Sequence, residues 1–91
     1  MPNEKEEHGI PQKAEGLEVH SVANQIVVYE TQTDRTHYLN PTAALILELC
    51  DGTRTAAEIA ELVREAYGLP AAPLSETDSC LADFRKRGIV V

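Results

Sequence analysis

The sequence predicts an α+β domain in which a three-stranded antiparallel sheet precedes three helices. Three observations predict it. Between Leu17 and Leu39 the apolar residues alternate or gather in short β-branched runs of strand length. Asn40-Pro41 then joins a strong N-cap to the residue favoured at the first helical position. Beyond it the apolar spacing becomes helical, with Gly52, Gly68 and Gly88 as stops.

Leu17 and Val19 fall on one side of a first strand and Glu18 and His20 on the other, the pattern of a half-buried strand. Val22-Ala23-Asn24 reads as a hairpin turn, and Gln25-Ile26-Val27-Val28-Tyr29-Glu30 as a second strand. Thr33-Asp34-Arg35 reads as another turn, and Thr36-His37-Tyr38-Leu39 as a short third strand. The first helix runs from Pro41 through Cys50 and is apolar on nearly every side, so other elements must cover most of its faces. Asp51-Gly52 ends it.

Thr55-Ala56-Ala57-Glu58 matches a capping box, which starts a second helix at Ala56. Ile59, Leu62, Val63, Ala66 and Tyr67 form one apolar stripe, opposite Glu58, Glu61, Arg64 and Glu65. Gly68 and Pro70 stop this helix. Ser75, with Asp78 three residues on, is expected to cap a third helix that carries Cys80, Leu81 and Phe84 inward. Gly88 ends it and places Ile89 against Phe84. Residues 1–13 are polar and aperiodic and read as a disordered tail, leaving 14–91 as the folded domain.

A chain of 91 residues with 43% hydrophobic content supports one core. Its net stability should be only about 3–5 kcal/mol, which leaves little margin for a deep catalytic cavity and favours a surface groove. The charge of -7, from 15 acidic against 8 basic side chains, opposes binding to nucleic acid. No basic start leads into an apolar run and no stretch is long enough to span a bilayer, so a cytoplasmic location without a membrane partner is expected. Cys50 and Cys80 form no C-x-x-C pair and read as buried thiols rather than as metal ligands or a disulfide. No cofactor is expected.

His37 is the residue to test first as a general base. No Ser, Cys or carboxylate stands at a catalytic spacing from it, and His8, His20 and His37 all read as solvent-facing. The chain is therefore not expected to be an enzyme. Asp51-Gly52 reads as a helix stop, and Arg85-Lys86-Arg87 as cations complementing a helix C-terminus. What remains is the third strand. It is short, a helix follows it directly, and its outer side is left unpaired; a peptide could add there as a further strand.

The run Tyr38-Leu39-Asn40-Pro41-Thr42-Ala43-Ala44, then Leu49-Cys50-Asp51-Gly52, then Thr55-Ala56-Ala57-Glu58-Ile59, resembles the coenzyme pyrroloquinoline quinone synthesis protein D family. The resemblance extends from about Gly16 to Val91 and includes Leu81-x-x-Phe84 and Arg87-Gly88-Ile89-Val90. It implies a fold similar to winged helix-turn-helix domains. It also implies a non-catalytic role: binding the leader of a ribosomally made precursor peptide and presenting it to a modifying enzyme, often a radical S-adenosylmethionine enzyme.

In that family the leader adds along the third strand, with the third helix as the other wall. Carried over, this implies Thr36, His37, Tyr38 and Leu39 on one wall, and Asp78, Ala82 and Arg85 on the other with Leu81 at its margin. Arg85 and Asp78 would read leader charges. Asn40, Pro41, Asp51, Gly52, Thr55 and Glu58 are structural by the capping argument. The alternative reading is a winged-helix DNA-binding regulator, whose affinity for duplex DNA would fall steeply with salt. A third is a subunit that docks on a larger enzyme.

Overall fold

The structure, a computed structural model, describes residues 10–91. Strands β1 (Leu17–Val22), β2 (Gln25–Glu30) and β3 (Arg35–Leu39) lead into helices α1 (Pro41–Glu48), α2 (Ala56–Tyr67) and α3 (Leu74–Arg87). This is the expected three-stranded sheet followed by three helices. The strands form one antiparallel sheet in the order β1-β2-β3. The register sets Val19 opposite Val28 and Val28 opposite His37. Since side chains alternate faces along each strand, Val28, His37 and Leu39 share the face turned to the helices, and Thr36 and Tyr38 take the other.

Helix α1 packs on β2 and β3, and among the described residues no helix Cα comes within 8 Å of β1. That explains one departure from expectation: Val19 lies on the inner face but is 45% exposed, because nothing covers it there. Arg35, read as part of a turn, is instead the first residue of β3, paired with Glu30. The turn before it closes on Asp34, whose backbone is left-handed at φ 59° and whose carboxylate accepts from the Tyr29 hydroxyl.

The Asn40 side chain caps α1 by accepting from the Ala43 amide at 2.8 Å. The helix ends at Glu48, two residues before the expected end at Cys50. Asp51 then organises the loop to α2: it accepts from the Thr53 amide at 3.0 Å and hydroxyl at 2.6 Å, and pairs with Arg54 at 2.8 Å. Gly52 suits this turn by its backbone. Its φ is +84°, and a Cβ there would stand 3.1 Å from the Gln12 side chain.

Gln12 belongs to a docked segment. Lys13 donates its amide to the Cys50 carbonyl, Ala14 to that of Ile89, and Val91 to that of Gln12. Pro11 is buried. Of the thirteen residues expected as a tail, the first nine lie outside the described residues, while residues 11–13 bridge the α1–α2 loop and the segment after α3.

The capping box of α2 forms on both sides, with Glu58 donating its amide to Thr55 Oγ1 at 3.2 Å and Thr55 its amide to Glu58 Oε1 at 2.8 Å. Its apolar stripe is only half buried. Ile59, Ala60 and Val63 enter the core, but Ala66 is exposed and Tyr67 is 49% exposed. Tyr67 instead lies over the start of α1, where its hydroxyl accepts from Thr42 at 3.4 Å.

Helix α3 begins one residue before the expected cap. Pro73 occupies the N-cap position without a side-chain bond, so Ser75 falls inside the first turn and does not cap. At the other end Gly88 is left-handed, and Ile89 and Gly88 donate to the carbonyls of Phe84 and Arg85, the paired bonds of a glycine-terminated helix. Ile89 and Phe84 then meet in a core with Val28, Leu39, Ile46, Leu47, Ile59, Val63 and Leu81. No helix among the described residues is long and apolar enough to cross a membrane.

Thr77, in the first turn of α3, is fully buried and its hydroxyl has no hydrogen-bond partner. Such a group costs its desolvation without return. Thr77→Val keeps the shape and removes the hydroxyl, so urea titration should show stability raised by about 1 kcal/mol.

Candidate functional site

Both outer strands of the sheet are edges, but they differ. Among the described residues no helix Cα comes within 8 Å of β1. β3 lies beside α1 and reaches towards α3: the Arg35 guanidinium donates to the carbonyl of Arg87, the last residue of α3, at 2.7 Å. Yet no Cα of β3 comes within 8 Å of a Cα of α3 among the described residues. An added strand runs about 4.8 Å from its neighbour, and a sheet and a packed layer stand about 10 Å apart. Among the described residues the β3 edge is unpaired, and Arg35 links its first end to the last residue of α3.

The site residues named from sequence divide. Thr36 and Tyr38 are exposed, Tyr38 by 64%, so their side chains are free to meet a ligand on the outer face. His37 and Leu39 are not solvent-facing: they are 9% and 5% exposed and turn to the helices, leaving main chain alone for an added strand. This corrects the reading of His37 as a surface histidine. Its Nε2 donates to the Glu30 carboxylate, and that bond, helped by Thr33 and Arg35, holds the Glu30 carboxyl below its ordinary pKa.

On α3, Asp78 and Ala82 are exposed as expected. Leu81 is 1% exposed and belongs to the core, not to the margin of a groove. Arg85 is half-buried and close enough to the Cys50 thiol to oppose its shift. Arg35 was missed because the sequence marks it only as a cation beside a turn; its role depends on where the end of α3 comes to rest.

The remaining chemistry is inert. Burial pushes the Cys50 thiol up to about 12 and the Cys80 thiol to about 11, so neither supplies a thiolate at neutral pH. No group of three or more His, Cys, Asp or Glu residues is placed to hold a metal ion among the described residues. A hollow of about 340 Å³ is lined by Thr53, Arg54, Glu58, Glu61 and Leu62. Its charged groups are already engaged, Arg54 with Asp51, Glu61 with Arg64 and Glu58 in the capping box. A smaller one of about 170 Å³ lies at the end of β3, among Asn24, Gln25, Tyr38, Leu39 and Asn40.

Neither curated proteins nor solved structures give a match to the chain. The family model for coenzyme PQQ synthesis protein D (PqqD) matches residues 25–90. The match starts at the first residue of β2, so it takes in β3 and all three helices and leaves out β1. With a match over most of its length, the chain belongs to the coenzyme PQQ synthesis protein D family, whose members are peptide-binding accessory proteins.

Proposed function

We propose that this protein captures the leader of a ribosomally made precursor peptide by strand addition along β3 and presents the rest of that peptide to a modifying enzyme, of the radical S-adenosylmethionine class. The carrying observation is the β3 edge, which is unpaired among the described residues. The edge supplies backbone donors and acceptors, which give affinity, and the flanking side chains supply selectivity. Thr36 and Tyr38 would do so from the strand, Asp78 and Ala82 from the exposed side of α3. The reading places the work in the cytoplasm, where the precursor is made.

A fluorescently labelled leader from a precursor encoded beside this protein tests the reading. Saturable binding is expected, with slowed amide exchange concentrated in residues 35–39. Failure of the folded protein to bind any such leader, or protection on β1 instead, would sink it.

A further inference from the structure

Seven of the eight lysines and arginines lie in the described residues, and five of the seven, Lys13, Arg35, Arg85, Lys86 and Arg87, gather at one end of the molecule. Arg35 touches the last residue of α3, Lys13 bridges Val90 just beyond that helix, and Lys13 and Arg85 both act on the Cys50 thiol. The helix dipole accounts for cations within the last turn of α3. It does not account for Lys13 or Arg35, which arrive from other parts of a chain whose net charge is -7. Glu30 stands 3.6 Å from Arg35, and Asp83 stands 2.9 Å from Arg87.

Arg35 stands at the β3 end of this cluster. Its side chain is 57% exposed, and it donates to the neutral carbonyl of Arg87 at the end of α3. A guanidinium has five N–H donors in a fork suited to a carboxylate. A strand added to β3 passes this point. A carboxylate arriving there replaces a neutral acceptor with a charged one, and such bonds are about twice as strong. At the other end of β3 the hollow among Asn24, Gln25, Tyr38, Leu39 and Asn40 has no charged side chain in its lining.

We propose, resting on the capture reading above, that the peptide laid along β3 is acidic at the end that meets Arg35. An Asp or Glu of the peptide takes the Arg35 guanidinium, and Lys86 and Arg87 add their field from the last turn of α3. β3 runs from Arg35 to Leu39. An antiparallel ligand therefore carries the acid towards its C-terminal end, and a parallel one towards its N-terminal end.

The test is selection of a displayed library of random twelve-residue peptides on the folded protein, repeated on Arg35→Glu and Lys86→Glu. Asp or Glu should be enriched at one end of the selected peptides. Arg35→Glu should turn that preference to Lys or Arg, and Lys86→Glu, at an exposed position, should weaken it. A selected acidic peptide should bind Arg35→Gln about three- to tenfold more weakly, and its Gln counterpart should lose no more than a small part of that.

Peptides that protect β3 but show no charge preference, or a preference that both charge reversals leave unchanged, would overturn the inference and leave capture standing. Selection of no peptide by the folded protein would overturn both. If Arg35→Glu does not fold, Lys86→Glu alone decides between these outcomes.

Discussion

Leu81→Ala is expected to unfold the domain under conditions where the parent chain is folded. Leu81 is 1% exposed and packs in the same cluster as Ile59, Val63 and Phe84, so truncation removes buried apolar contact and leaves a cavity. Changes of this kind cost about 2–5 kcal/mol. A 91-residue domain without a disulfide has about that much to lose. The neighbouring position gives the contrast. Ala82 is exposed, and Ala82→Ser should leave the melting curve nearly unchanged. Circular dichroism during urea titration reads both. A Leu81→Ala chain that kept its midpoint and lost only peptide binding would return Leu81 to the margin of the groove, where the family resemblance put it.

The features legible in the sequence are those whose partners are near in the chain. Asn40 caps α1 through the amide three residues on, Thr55 and Glu58 bond each other, and Gly88 closes α3 on Phe84 and Arg85. Each is settled within one turn, so spacing alone reveals it. Ser75 failed by the same standard: the cap position falls two residues earlier, at Pro73, and the helix starts before Ser75 can act as its cap.

The misreadings at His37, Val19 and Tyr67 have another origin. Period-two alternation says that His37 and Tyr38 face opposite ways, but not which of them is covered. Polarity alone would turn Tyr38 inward. The outcome is inverted because His37 shares a face with Val28 and Leu39 and finds a carboxylate on Glu30, seven residues back across the hairpin. Val19 and Tyr67 are exposed for want of a covering element, which only the assembled layers determine. The candidate site divides likewise. The edge strand was legible as a strand, whereas the Arg35 contact to the last residue of α3 depends on where that helix lies.

Acid should loosen the strand that forms this edge, and Glu30 is the group responsible. Its carboxylate accepts from His37 Nε2 and from Thr33 Oγ1 at 3.1 Å, and lies 3.6 Å from Arg35, so three residues of the β2–β3 hairpin converge on it. The His37 and Glu30 side chains are only 9% and 13% exposed. Glu30→Ala leaves a nearly buried ring N–H without its acceptor and should cost about 2–3 kcal/mol at neutral pH. The hydrogen bond from His37 is the main reason that the Glu30 carboxyl stays below its ordinary pKa.

A carboxylate held lower in the folded state than in the unfolded chain stabilises the fold above the unfolded value, about 4.3. That contribution is lost as pH falls through the lower, folded value. Melting temperature should therefore decline as pH drops below about 4.5. Asp51 and Glu61, held low by Thr53 and Arg64, add to the same decline, so the comparison that isolates Glu30 is with Glu30→Gln. The variant should start from a lower melting temperature and lose less of it on acidification. If the two profiles run parallel from pH 6 to pH 3, the carboxylate does not tie β3 to the sheet, and the edge must be held by main-chain pairing with β2 and by the packing of Leu39 under α1.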